Sequence, residues 1–600
     1  MTAALAAQAR AAGIDLRPRW DGAGPIPETT LRSLIDVLGD GVLAPDRPQA
    51  QPNDQAAPFS AYVPPILDRR RLFGVALQLY QLTSSRNMGI GDLRDLQALI
   101  APFAAAGVSF IGLNPLHALF TAEPERASPF FPSDRRFLNP LIIAVDDVPG
   151  FCPSMRDGVH SPAMGKVVDY GAVAAAKLSI LRTIHGKWLA KADDVPAAAH
   201  RSAVRFVEAG GNALQDFALF ETLSHHFQAA GHGATWSTWP EAYRTVGGRK
   251  VQDFRQSHGR EIAFHAWLQY IARSQVAAVH QQALDAGMAI GLYLDLAIGT
   301  APDGAATWAD PGAILKGARV GAPPDLFTAA GQDWGLSALS PVALRQQACA
   351  PYCDVLSAAM ANAGAMRVDH AMGLERLYLI PDGATAIDGA YVAMPDLTSA
   401  LVDMSHRHKT LAIGEDLGVV PHGFRERMGE RRIFSMRILP FERDGKRMRP
   451  PGAYPIASLA CLSTHDMAPL RAFWSGDDIA TRNEIGMLTG PHLESACRAR
   501  DEEKALLVGL AGLPPRVSDH ALNGDMVVRL HQALARSASK LMAIRLEDVV
   551  GDERLVNLPS TDREYPNWRH TLPVSVDEIA SSETLQRVFL VARQARGSAS

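Results

Sequence analysis

The chain has 600 residues and a mass of 64.5 kDa, and its 59 Lys and Arg nearly balance 63 Asp and Glu for a formal charge of −4. That balance, with no local basic run, argues against nucleic acid and a polybasic membrane-surface role, because both need an excess of Lys and Arg against phosphates. Hydrophobic residues make up 47% and charged residues 20%, the composition of a folded chain with a large core, and the length fits one big catalytic barrel or a few ordinary domains.

Met1 to Gly13 is Ala-rich, with neither the basic start nor the continuous apolar run of a secretory leader. No later segment is apolar for the roughly 18 residues that a membrane span needs. Residues 3 to 12 and 29 to 38 carry apolar residues at helical spacing, the second after Pro27 and Glu28. From about 41 to 67 the chain turns polar and proline-punctuated, the composition of a linker. Residues 1–67 are therefore expected to form a helical appendage and linker, with the catalytic body over 68–600.

Within that body, short apolar runs recur at Phe73 to Tyr80, Val108 to Leu113, Met288 to Leu294, Met366 to Val368, Thr410 to Ile413, Ile433 to Leu439, Ser458 to Leu462 and Leu541 to Leu546. Runs apolar on both faces and separated by helical patterns predict parallel strands buried under helices. Eight of them predict an α/β fold, a (β/α)8 TIM barrel, with active-site residues at the C-terminal strand ends. The long interval from about 120 to 286 predicts a mainly helical insertion, with helical patterns at 214 to 223 and 264 to 276. The five cysteines, Cys152, Cys349, Cys353, Cys461 and Cys497, are odd in number and sparse, so they are expected as reduced thiols of a cytoplasmic protein. Cys349 and Cys353 alone are close, and without His or further Cys nearby they read as structural thiols, not a metal site.

Four of the runs close on carboxylates: Asp295, Asp369 followed by His370, Glu415 followed by Asp416, and Asp466 after Thr464 and His465. Any one of these is equally a turn or helix-capping residue. Several acids converging on one barrel mouth would repel each other, an arrangement suited to chemistry that needs one ionised and one protonated carboxyl. Two carboxyls flanking a glycosidic bond make a retaining mechanism, one as nucleophile and the other as acid and then base. Asp369 and Glu415 fit these roles. Arg367, two positions earlier on the same strand face, could hold Asp369 ionised, while Glu415 ends an apolar run that would raise its pKa. Asp466 and His465 would bind sugar hydroxyls; His465 and His370 could instead only bond neighbouring backbone.

The segments Arg367-Val368-Asp369-His370-Ala371-Met372-Gly373-Leu374, Ile413-Gly414-Glu415-Asp416-Leu417-Gly418 and Ser463-Thr464-His465-Asp466 resemble the motifs of the 4-alpha-glucanotransferases called amylomaltases or disproportionating enzymes, in the alpha-amylase clan. Further matching stretches are Asn87-Met88-Gly89-Ile90-Gly91-Asp92, Ser128-Pro129-Phe130, Gly321-Ala322-Pro323-Pro324-Asp325, Gly331-Gln332-Asp333-Trp334-Gly335, Asn557-Leu558-Pro559 and Tyr565-Pro566-Asn567-Trp568. The likeness runs from about 71 to 575, and the appendage is similar to the N-terminal extension of bacterial maltodextrin-type members. It implies Asp369 as nucleophile, Glu415 as general acid and base, and Asp466 as a third carboxylate gripping the distorted ring. It also implies Arg367 and His465 at the same subsite and Asp295 at its edge, with Asp325, Phe327 and Trp334 on the substrate side of a lid loop within about 317–341. Such a lid would keep water from a glucosyl-enzyme and stack on the incoming sugar; Phe327 is alternatively a core residue.

Two positions depart from the family pattern: Phe130 stands where tyrosine is usual, and Asp333 where asparagine is usual. The activity implied is transfer of a segment cleaved from maltooligosaccharides or alpha-glucans to the 4-hydroxyl of another glucan or glucose. The alternatives are an alpha-1,4-glucan hydrolase, with water as acceptor, and a non-catalytic glucan-binding protein. No cofactor and no metal is implied, since phosphate-cradling, nicotinamide and metal-spaced motifs are all missing. No oligomeric state is predicted.

Overall fold

The computed structural model describes residues 1–20, 23–39, 58–159, 165–324, 330–445, 447–513, 522–561 and 563–597. Eight parallel strands close into a barrel in chain order: β1 Leu72–Leu77, β2 Phe110–Leu113, β3 Gly291–Leu296, β4 Ala365–Val368, β5 Leu411–Gly414, β6 Phe434–Ile438, β7 Ser458–Cys461 and β8 Leu541–Arg545, with β8 pairing back onto β1. These are the eight runs read from the sequence, and the (β/α)8 expectation holds. Their apolar character on both faces follows from burial on both, inward against the barrel interior and outward under helices. The interior is filled by Phe110, Tyr293, Ile413, Phe434, Met436 and Leu459 among others. Phe110 and Tyr293 meet edge to face with centroids 5.8 Å apart. Glycine on β1 and β2 makes room for these rings, since a Cβ on Gly74 would lie 2.4 Å from the Phe110 ring and one on Gly112 2.8 Å from Tyr293.

The insertion between β2 and β3 begins with a hairpin of His117–Ala118 and Asp134–Leu138, then runs through long helices at Tyr170–Leu189, Ala197–Ala229 and Gly259–Asp285. The last helix leads into β3, and both expected helical patterns fall within these elements. A second sheet is antiparallel, in the order Ala390–Ala393, Arg376–Pro381, Ala318–Ala322, Gln332–Leu336. Its last two strands come from the segment read as a lid loop.

The appendage packs on that second sheet. Helices α1 (Ala3–Ala11) and α2 (Glu28–Leu38) bury Leu5, Ala9, Leu31 and Leu34 against Val320, Leu336, Leu377, Leu379 and Val392. Between them the backbone adds a rung to the sheet edge: Asp15 N–H donates to the Tyr391 carbonyl and Ala393 N–H to that of Gly13, both at 2.9 Å. Residues 58–69, read largely as linker, lie on the barrel body. Ala61 N–H donates to the Arg431 carbonyl, and Leu67 with Val63 and Ile66 packs on the apolar cluster of the barrel interior.

Candidate active site

Strand pairing places the first two site residues. Asp295 and Arg367 are register partners across β3 and β4, so Asp295 lies within its strand and not just beyond it as the apolar run suggested. Arg367 Nη1 donates to both Asp295 oxygens, at 2.8 and 2.9 Å, and its Nη2 lies 2.9 Å from Asp369 Oδ1. One buried guanidinium therefore holds two carboxylates, a forked geometry that fixes direction as well as charge. Burial pushes Asp295 up to about 6, with Arg367 opposing and Asp369 reinforcing the rise; at neutral pH the pair stays ionic.

Glu415 follows β5 directly and is 7% exposed. Its two oxygens accept separate backbone N–H groups, from His370 at 2.9 Å and Leu417 at 2.7 Å. His370 adopts φ 47°, a left-handed conformation that costs a non-glycine residue free energy and clusters at functional sites. Here it accompanies the turn in which the amides of His370 and Ala371 donate to the Glu415 carboxylate and carbonyl. Burial raises the Glu415 pKa, Arg367 lowers it, Asp369 raises it and the two amides lower it, leaving it pushed up to about 7. A carboxyl near 7 can give a proton and take it back at neutral pH.

Asp466 lies beyond β7, at the end of the turn that follows it. Burial works to raise its pKa, but His465 Nε2 at 3.2 Å from Oδ2 and Asn557 Nδ2 donating to Oδ1 at 2.8 Å hold it well below the usual carboxylate range. The two carboxyls are thus pushed apart, Asp466 ionised and Glu415 ready to hold a proton.

Aromatic rings line the same site. Phe130 stacks on His465 with centroids 4.7 Å apart and lies 5.5 Å from Trp568, while the Arg367 guanidinium sits 5.8 Å from the Phe130 centroid. Trp334 meets His370 edge-on at 5.2 Å. Strand alternation turns Asp333 to the other face of its strand, where Arg319 binds it at 2.8 Å and Asp382 at 2.9 Å. The added charge at position 333 is thereby paired.

The structure brings together Asp295, Arg367, Asp369, His370, Glu415, His465, Asp466, Phe130 and Trp334. Asp325 and Phe327 lie outside the described residues. Sequence reading gave no role to Asn557 or Trp568, although both belong to motifs it had singled out; their function depends on contacts with Asp466 and with Phe130 and His465, far away in the chain. Among the described residues, no group of three or more His, Cys, Asp or Glu is arranged to hold a metal ion, and no helix is long and apolar enough to cross a membrane.

Comparison with known proteins agrees with this geometry. The family model for 4-alpha-glucanotransferase matches residues 77–575. A 4-alpha-glucanotransferase of Haemophilus influenzae is 35% identical over 567 residues, covering 90% of this chain and 81% of its own. One from Mycobacterium tuberculosis is 36% identical over 541 residues, covering 84% and 72%. The crystal structure of an amylomaltase from Corynebacterium glutamicum superposes with a TM-score of 0.76 at 29% identity, over 88% of this chain and 75% of that one. An amylomaltase from Streptococcus agalactiae in complex with acarbose shares the fold, with a TM-score of 0.72 at 18% identity, over 88% and 99%. By its barrel, its ordered motifs and these relatives, the chain belongs to the 4-alpha-glucanotransferase family, enzymes that transfer segments of alpha-glucans.

Proposed function

We propose that Asp369, Glu415 and Asp466 carry this transfer by a retaining double displacement on alpha-1,4 bonds of maltooligosaccharides and longer alpha-glucans. The supporting observation is the split environment of the carboxyls: Arg367 grips Asp369, burial holds Glu415 near 7, and His465 with Asn557 keeps Asp466 charged.

In the first displacement an Asp369 oxygen attacks the anomeric carbon while Glu415 gives its proton to the departing glycosidic oxygen. The products are a glucosyl ester on Asp369 and a free 4-hydroxyl end. In the second, the Glu415 carboxylate takes the proton of an acceptor 4-hydroxyl, whose oxygen attacks the same carbon and releases Asp369. Asp466 and His465 bind hydroxyls of the distorting ring. Trp334, edge-on to His370, forms the acceptor side and helps exclude water until a sugar hydroxyl arrives. Asp295 orients Arg367, and Phe130 shapes the wall behind His465. The five unpaired thiols suit a reducing compartment, and we place the enzyme in the cytoplasm, acting on glucans and not on nucleic acid or membrane.

The test is incubation with maltotriose alone, following product lengths and total reducing ends, with Asp369→Asn as control. Glucose plus longer maltooligosaccharides at constant reducing ends, lost in the control, is the expected result. A rise in reducing ends without longer products would make water the acceptor. No turnover by the unaltered chain would favour a glucan-binding protein.

A further inference from the structure

The loop that carries His465 and Asp466 is held by a residue with no role in the chemistry described above. Arg545, the last residue of β8, is 3% exposed. Its Nη1 donates to the Thr464 carbonyl at 2.6 Å, the Met467 carbonyl at 2.9 Å and Ser463 Oγ at 3.2 Å. These acceptors bracket His465 and Asp466 on both sides. Its Nε lies 3.4 Å from Glu547 Oε2, so its charge is balanced from behind. Three residues on, Asp548 accepts from Ser463 Oγ and from Leu470 N–H, both at 2.7 Å.

A loop has no ladder of its own to fix it, and a carboxylate that must meet a distorting ring loses effect when displaced by about 1 Å. Among the described residues Asp466 has His465 and Asn557 as direct partners, and His465 rides on the same loop. The rigid reference is the barrel strand. We propose that Arg545 is a positioning residue for His465 and Asp466, tying their loop to the end of β8, with Asp548 fixing the loop's flanks. The inference rests on the reading of Asp466 as a group that grips the sugar.

The experiment is a double-mutant cycle in the full-length chain, measuring maltotriose disproportionation for the wild type, Arg545→Gln, Arg545→Lys, Asp466→Asn and the doubles, with folding checked by circular dichroism and thermal melting. Arg545→Gln should lower kcat by roughly 10- to 100-fold with KM changed by less than about threefold, as expected for a misplaced group that binds the transition state. Arg545→Lys, which keeps one donor and the charge facing Glu547, should recover part of the loss. The doubles should be no slower than Asp466→Asn alone within about twofold, because both changes remove the same interaction. If Arg545→Gln does not fold, Arg545→Lys carries the same cycle, and if Asp466→Asn leaves no measurable rate, Asp466→Glu replaces it. Losses that multiply, or an Arg545→Gln enzyme within about twofold of wild type, would overturn the proposal. An Asp466→Asn enzyme as active as wild type would instead refute the underlying reading of the site.

Discussion

The Phe130 ring lies nearly parallel to His465, at 25° and 4.7 Å, so the position where the family pattern predicts tyrosine is a wall of the site, backed by the hydrophobic core. The wall stays in place, and only a hydroxyl is missing. A hydrogen bond to a charged group is worth about 1.5 to 3 kcal/mol, or roughly 10- to 150-fold in rate. Phe130→Tyr should therefore raise kcat for maltotriose disproportionation by about tenfold or more, read from initial rates. An unchanged rate would show that the lost hydroxyl made no contact that counts in this enzyme.

On the proposed roles, Glu415 sets the alkaline limit of the first displacement. With its pKa near 7, the carboxyl is protonated and able to act as acid below that value, and it is ionised and unable to above it. kcat/KM for the donor should fall tenfold per pH unit above roughly 7. A profile flat to pH 9 would remove Glu415 from the acid role.

Glu221 gives a stability test away from the site. It sits in the insertion, 2% exposed, where burial pushes it up to about 7 against the Thr121 hydroxyl that donates to it. In the unfolded chain a Glu ionises near 4.3. Below that pH both states are neutral and nothing is lost; as pH rises toward 7 only the unfolded chain ionises, so folding weakens. Glu221→Gln, of the same shape and uncharged, should gain about 1 to 3 kcal/mol over wild type at pH 8 and little at pH 4.5. An equal difference in melting temperature at both pH values would refute the assignment.

Leu34 of α2 is fully buried against the second sheet. Leu34→Ala should cost about 2 to 5 kcal/mol of the free energy holding the appendage on that sheet, seen as an early transition in urea. Because the sheet carries Trp334 over His370, KM for the acceptor should rise before the barrel unfolds. A single unshifted transition would mean that the appendage adds no stability there.

The barrel was legible because each of its strands is buried on both faces, so that β5 reads Leu-Ala-Ile-Gly without a polar interruption. The strand-end carboxylates were legible because an acid closing such a run stands out. The second sheet was less so. Arg376–Pro381 is an apolar run like the others, but nothing in its residues says to which sheet it belongs, and its neighbour Gln332–Leu336 is mostly half-exposed. Asn557 and Arg545 were hidden for a different reason. Each acts by a hydrogen bond to residues more than 75 positions away, and a polar side chain does not announce its partner.

The guanidinium shared by Asp295 and Asp369 has a consequence for the order of events. If Asp369 is the nucleophile, esterification erases its negative charge, and among the described residues Arg367 is left with Asp295 as its charged hydrogen-bonded partner. Asp369 is one of the groups that raises the Glu415 pKa, and Arg367 is one that lowers it. Forming the ester therefore makes Glu415 a stronger acid at the moment it must stay deprotonated to receive the acceptor's proton. Release of Asp369 restores its proton affinity for the next donor. On the proposed roles, the covalent bond itself lowers the proton affinity of Glu415 for the second half-reaction, and its cleavage restores it for the first.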